Sequence, residues 1–163
     1  MPVREVLRYP HPALKQVARA LAPEEHDEIA RVAADLVETM DSFGHCVGLA
    51  ATQLGEMVRM VAVDVTGHKK ATTSSGRLVL VNPRIVSASG AEVGREGCLS
   101  VPELTANVRR ATEVVVESAG RTVRSEGFEA RCLQHEIDHL DGLLFLDRVD
   151  SLTADVFRRK RRG

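Results

Sequence analysis

The 163-residue sequence contains no tryptophan, one tyrosine and four phenylalanines. A core must therefore rest on Val, Leu, Ile and Ala, and a base-stacking surface for single-stranded nucleic acid is disfavoured. No hydrophobic run approaches the length of a membrane span. The charges between Arg4 and Lys15 leave no room for the apolar stretch of a signal peptide. Three cysteines are an odd number without disulfide-scaffold spacing, so we expect a reduced, cytoplasmic protein.

The sequence has no large excess of positive or negative charge, because its net charge is −1. No overall field would recruit nucleic acid or an anionic membrane, and we expect neither a membrane partner nor sequence-specific nucleic-acid binding. The length fits one domain spanning residues 1–163. The tail, about residues 157–163 (FRRKRRG), is strongly basic. It is either a solvated tail that aids solubility or a transient contact with ribosomal RNA.

Hydrophobic periodicity predicts a helix from about Pro23 to Met40 and a second from Ser125 or Glu126 to Leu140. Between them lies a polar loop, Thr66–Gly76, which we expect to be solvated and mobile. Short β-type runs occur at Val58–Val65, Leu78–Val81 and Thr112–Glu117. We therefore expect an α+β fold in which antiparallel or mixed β-sheets pack around the C-terminal helix, with the other helix near the N-terminus.

The strongest chemical signal is an HExxH motif in the second predicted helix, running from His135 to His139. Residues four apart project from one helix face roughly 6 Å apart, so both imidazoles can bind one metal ion. Glu136 then lies where a general base for a metal-bound water is needed. The alternative is a pair of hydrogen-bonded histidines in a core.

A catalytic site of this kind needs a third protein ligand. Cys132 precedes His135 by three residues, but a metal between the two histidines would lie roughly 7–8 Å along the axis from it. Cys132 is better interpreted as a residue that packs or lines a pocket. Cys98, in the segment EGCLS, could be a small buried hydrophobe on its own, yet beside HExxH it is the leading candidate ligand.

The segment GLAATQ, residues 48–53, combines small residues with an amide. Small residues permit close backbone packing, and the amide of Gln53 could donate to a developing oxyanion. The alternative interpretation is a packed strand edge with a surface Gln.

GLAATQ, EGCLS and QHEIDHLDG occur in this order and at these separations in peptide deformylases, which the chain resembles over nearly its whole length. The resemblance implies hydrolysis of the N-formyl group from the formyl-methionine of nascent polypeptides, with release of formate. It also implies a metal held by Cys98, His135 and His139. The metal of that family is usually Fe²⁺, and Zn²⁺, Ni²⁺ or Co²⁺ can replace it.

The same resemblance implies roles for other residues. Glu136 would shuttle the proton, while Gln53 and the N–H of Leu99 would stabilise the oxyanion. An extended substrate would lie beside the backbone of Val47 and Gly97. The substrate-binding residues implied are Val47, Gly48, Gly97, Phe128 and Cys132.

Four positions depart from the pattern of the family. Cys46 replaces a common Gly and could narrow the pocket mouth or merely pack. Arg109 stands where Pro is common, before an Arg110 that we expect to pair with Glu96. Thr105 replaces a frequent Arg near the cleft, and Arg131 lies where apolar residues are frequent near the methionine pocket.

Two other classes of protein have to be weighed. A general HExxH metalloprotease would need a further His or Glu downstream, whereas no His follows His139 and the only later carboxylates are aspartates. A non-catalytic homologue could bind the ribosome through the basic tail, but the presence of Cys98, Gln53 and Glu136 argues against it.

Overall fold

The computed structural model describes residues 3–159, so residues 160–163 of the predicted basic tail lie outside the described range. The described chain has an α+β fold with two α-helices, α1 (His26–Ser42) and α2 (Gly127–Leu140). The strands are, in chain order, β1 (Gly48–Ala50), β2 (Met60–Val63), β3 (Leu78–Val81), β4 (Arg84–Ser89), β5 (Glu92–Cys98), β6 (Val101–Arg110), β7 (Glu113–Ser118), β8 (Arg121–Glu126) and β9 (Val156–Arg158). The predicted fold class is thus confirmed.

Helix α1 begins three residues later than Pro23, the predicted first residue. A turn precedes it, because the N–H of Ala22 donates to the Glu25 carboxylate at 2.7 Å and the N–H of Glu25 donates to the Ala22 carbonyl at 3.1 Å. The helix then presents one apolar face to β2, as the periodicity predicts. The buried hydrophobic residues of that face are Val32, Leu36 and Met40.

The nine strands form three antiparallel sheets of three strands each, in the orders β1-β2-β3, β4-β7-β8 and β5-β6-β9. The predicted run Leu78–Val81 coincides with β3, and Thr112–Glu117 is shifted by one residue from β7. Within the predicted run Val58–Val65, only Met60–Val63 forms a strand, which is β2. Among the described residues, strand β5 pairs only with β6, so its other edge carries no strand.

Helix α2 packs against β1, β2 and β8 and is mostly buried. One face joins the apolar cluster through Leu133, Ile137 and Leu140, which pack with strand residues such as Val61 and Val116. The opposite face carries the HExxH side chains. Within the described residues, no helix is long and apolar enough to cross a membrane.

Candidate active site

Three buried side chains meet between β5 and α2. The sulfur of Cys98 and one ring nitrogen each from His135 and His139 all lie within 4.8 Å of one another. The pairing register of β5 shifts between Gly97 and Cys98, and such a bulge changes the direction of a side chain. Cys132 does not belong to this cluster, in agreement with the helix geometry.

The cluster has the dimensions of a metal site. Two ligands bound to one tetrahedral ion at about 2.3 Å for sulfur and about 2.05 Å for nitrogen lie about 3.5 Å apart. The distance from Cys98 Sγ to His139 Nε2 is 3.5 Å. A thiolate and two imidazoles form a ligand set that suits Fe²⁺ or Zn²⁺ better than Mg²⁺ or Ca²⁺. The residues therefore fit a transition-metal ion.

The ring of His135 is held by a buried carboxylate. Its Nδ1 lies 2.9 Å from Glu96 Oε1, and Arg110 donates two hydrogen bonds of 2.9 Å to the same carboxylate. Burial opposes ionisation of Glu96, but the hydrogen bonds from Arg110 and His135 outweigh it and lower the pKa of Glu96 below its usual range. Because an ionised carboxylate only accepts, Nδ1 of His135 carries a proton, and Nε2 is the ring nitrogen that would bind a metal.

The expected pair between Arg110 and Glu96 is confirmed, and it belongs to a larger network. Arg110 also donates to Asp138 at 2.6 Å, and Arg148 donates to the other oxygen of Asp138 at 2.9 Å. Arg131 adds a bond of 2.7 Å to Glu96. The side chains of Arg110 and Glu96 are only 4% and 5% exposed, so solvent screens this pair weakly.

Glu136 points into the same space from α2. Burial raises its pKa to about 7. Within residues 3–159, its Oε1 atom is buried without a hydrogen-bond partner, as a group that handles a proton of water or substrate would be. A Cβ added to Gly48 would lie 2.6 Å from Glu136 Oε2, so the glycine leaves the room that this carboxylate occupies.

The amide of Gln53 is fixed on both sides. Its Oε1 accepts from the Ala50 N–H at 2.9 Å, which directs Nε2 towards Ser100 Oγ at 3.0 Å and Cys98 Sγ at 3.5 Å. Gln53 is 2% exposed, so the interpretation as a surface Gln is wrong. The amide presents a donor beside the metal-ligand cluster.

A pocket of about 410 Å³ leads to this cluster from the surface. Of the residues predicted to have a role in the site, those that line it are Val47, Gly48, Gln53, Gly97, Cys98, Leu99, Phe128, Cys132, His135 and Glu136. His139 is buried more deeply, at 1% exposure.

The four departures from the family pattern have different places. Cys46 and Arg131 line the pocket. The thiol of Cys46 lies 3.2 Å from the Gly48 carbonyl, and burial raises its pKa to about 12. Thr105 of β6 pairs with Gly97 of β5 and accepts a hydrogen bond from Arg95, while Arg109 is exposed near Asp150.

The sequence patterns did not identify the outer part of the pocket. The predicted loop Thr66–Gly76 folds over it, since the His68 ring stacks on Phe128 at 4.5 Å. Ser75 anchors the loop through its N–H and hydroxyl, which donate to the buried Glu129 at 2.6 and 2.8 Å. Glu129 belongs to the buried residues of α2, and no sequence pattern pointed to this contact.

The comparisons with known proteins agree with one another. The model of the polypeptide deformylase family matches residues 3–155. The chain is 40% identical over 167 residues to a peptide deformylase of Syntrophobacter fumaroxidans, covering 98% of this chain and 94% of that protein. It is 42% identical over 166 residues to a peptide deformylase of Alkalilimnicola ehrlichii, covering 98% and 89% respectively.

Solved structures give the same result. A peptide deformylase from Legionella pneumophila superposes with a TM-score of 0.81 at 35% identity, covering 92% of this chain and 88% of that chain. An actinonin-bound class I type b peptide deformylase from Acinetobacter baumannii gives a TM-score of 0.78 at 32% identity, covering 92% and 100%.

Proposed function

The chain belongs to the polypeptide deformylase family, and from that premise we propose that it hydrolyses the N-formyl group of nascent polypeptides with a metal held by Cys98, His135 and His139. The observation that carries the proposal is the convergence of these three ligand atoms within 4.8 Å. Membership of the family favours Fe²⁺ as the metal, and Zn²⁺, Ni²⁺ or Co²⁺ are possible substitutes because a thiolate and two imidazoles can bind all four. When bound, it supplies Lewis-acid activation of water and of the formyl carbonyl.

Glu136 acts as general base and then as general acid. Its pKa of about 7 lets it accept a proton from water and return it to the amine nitrogen of methionine near neutral pH. The water oxygen adds to the formyl carbon, the C–N bond of the formamide breaks as the nitrogen takes up the proton, and formate and the free amino terminus leave. The room that Gly48 leaves for the carboxylate supports this assignment.

Gln53 and the backbone N–H of Leu99 stabilise the charge that develops on the formyl oxygen. The fixed orientation of the Gln53 amide supports this role, because a preorganised donor needs no rearrangement during the reaction. Each donor contributes on the order of 3 kcal/mol to the transition state.

The substrate lies extended between Val47 and Gly97 and adds a strand to the free edge of β5. Gly48, Phe128 and Cys132 complete the walls around the methionine side chain. The whole chain acts as one domain in the cytoplasm, where formylated chains emerge. Its basic C-terminus makes transient contact with the ribosome.

Two assays on anaerobically purified protein test the proposal. Formate release from a formyl-Met peptide, compared with cleavage of an internal peptide bond, distinguishes a deformylase from a general metalloprotease. We expect the wild type to release formate and to leave the internal peptide bond intact. The Glu136→Gln variant should retain the metal but release no formate. A non-catalytic ribosome-binding homologue would release none.

Metal analysis of variants tests the ligands. We expect Cys98→Ala to lose the metal, while Cys132→Ala, a matched thiol removal in the same pocket, retains it. Full occupancy in Cys98→Ala would overturn the ligand assignment.

A further inference from the structure

Besides Arg131, which is paired with Glu96, four exposed cationic side chains line the pocket, and we call them the cationic rim: Lys69, Lys70, Arg95 and Arg159. The carboxylates that line the same pocket, Glu96 and Glu136, are both buried, at 7% and 5% exposure. The rim therefore carries uncompensated positive charge, although the chain as a whole has a net charge of −1.

Within residues 3–159, no carboxylate forms a salt bridge with a member of the rim. Elsewhere on the surface, cations such as Arg59, Arg77 and Arg84 are each paired with an acidic side chain at 2.7–2.8 Å. No carboxylate of the described chain thus neutralises the rim, and an anionic ligand could do so.

Uncharged contacts hold the rim in place. The Arg95 guanidinium lies 4.0 Å from the centroid of the Phe157 ring, and its Nε donates to Asn107 at 3.1 Å. Lys70 Nζ lies 5.9 Å from the centroid of Phe128. The Arg159 guanidinium rests on Gly97, where an added Cβ would overlap it. These contacts orient the charges without neutralising them.

We propose that the cationic rim selects formylated peptides with acidic side chains at the two positions after methionine. This inference rests on the proposed function, in which the peptide runs along β5 past Gly97. Successive side chains of an extended peptide are about 3.3 Å apart and point to opposite sides. One therefore approaches the lysines of the loop, and the next approaches Arg95 of β5 and Arg159, which follows β9.

The rim is better suited to a peptide than to RNA. It surrounds a pocket that leads to the metal-ligand cluster, instead of covering an open face. Of the rings beside it, Phe128 stacks on His68 and Phe157 lies against Arg95, which reduces the aromatic surface on which bases could stack.

The test compares kcat/KM for formyl-Met-Glu-Glu-Ser with that for the isosteric formyl-Met-Gln-Gln-Ser. Two solvent-exposed ion pairs should favour the acidic peptide by about fivefold at low ionic strength. The preference should decline towards one at high salt, because exposed charges are screened.

Two separate double variants remove the two halves of the rim: Lys69→Gln with Lys70→Gln, and Arg95→Gln with Arg159→Gln. Each should reduce the preference by about half on a logarithmic scale. Arg121→Gln removes an exposed cation at the start of β8, outside this pocket, and should leave the preference unchanged.

Equal hydrolysis of the Glu and Gln peptides by the wild type would refute the role of the rim and leave the proposed function standing. Hydrolysis of neither would refute the proposed function and this inference with it. An RNA hairpin whose binding weakens in both double variants, combined with equal hydrolysis of the peptides, would assign the rim to nucleic acid instead.

Discussion

Replacement of Glu96 by Gln removes one buried negative charge and keeps the shape of the side chain. Two guanidinium groups, from Arg110 and Arg131, then lose their ionised partner. Breaking a buried ion pair from one side costs about 3–5 kcal/mol. Because Arg110 keeps Asp138 at 2.6 Å, we expect the lower end of that range, a loss of about 3 kcal/mol in the free energy of unfolding.

The same substitution should weaken metal binding. Loss of a partner behind a metal ligand typically costs about 10–100-fold in affinity. Gln Oε1 can still accept from His135 Nδ1, so we expect the smaller effect, a rise of about tenfold in the dissociation constant for Zn²⁺.

Urea unfolding of the metal-free protein, followed by circular dichroism, measures the first effect, and competition with a chromophoric chelator measures the second. Glu117→Gln is the matched control. Glu117 pairs with Arg84 at 2.8 Å, but the two side chains are 51% and 72% exposed, so its loss should cost less than about 0.5 kcal/mol. If Glu96→Gln were no more destabilising than Glu117→Gln, the argument from burial would be wrong.

Three further predictions concern the pocket, the surface and the metal. Gly48→Ala should place a methyl group against Glu136 and lower kcat on the order of a hundredfold with the fold retained, which steady-state kinetics and circular dichroism would show. The pKa of Glu56 is lowered to about 2, chiefly by hydrogen bonds from Arg31 and also by those from Arg4, against an ordinary value of 4.5. The stability that ionised Glu56 contributes to the folded protein is therefore present above pH 4.5 and is lost as the pH falls towards 2. Relative to Glu56→Gln, the wild type should be about 1 kcal/mol more stable at pH 7, and an advantage that persisted at pH 2 would contradict this. Iron-loaded protein should lose activity in air faster than zinc- or nickel-loaded protein, and equal rates of decay would contradict ligation of oxidisable Fe²⁺.

The sequence predicts those parts of the fold that depend on local periodicity. Both helices were identifiable because their apolar residues recur with the period of one buried face, and strand β3 because LVLV is a continuous run of strand-favouring residues. Strand β5 was not, since its sequence EVGREGC combines two glycines with three charged residues, a composition that disfavours strands. It forms a strand because β6 pairs along its whole length, which is a tertiary effect.

The site likewise has one part that local sequence spacing predicts and another part that depends on tertiary packing. The spacing of His135 and His139 fixes their common face, because both belong to one helix. Nothing local predicts that Cys98 and Gln53, which are 45 residues apart, should lie 3.5 Å from each other. That proximity depends on how the sheets pack against α2, and only the resemblance to a family anticipated it. The cationic rim had no such motif and was not anticipated.

Helix α2 has to hold reactive groups on a face that apolar packing cannot stabilise. Polar contacts with neighbouring segments do this instead. Gln134 accepts from the Ala111 N–H at 3.0 Å and donates to its carbonyl at 2.9 Å, which fixes the helix one residue before His135. Asp138 fixes it one residue before His139 through Arg110. Each ligand thus follows an anchored neighbour, so the helix backbone is fixed at both histidines, and the Glu96 carboxylate also orients the ring of His135.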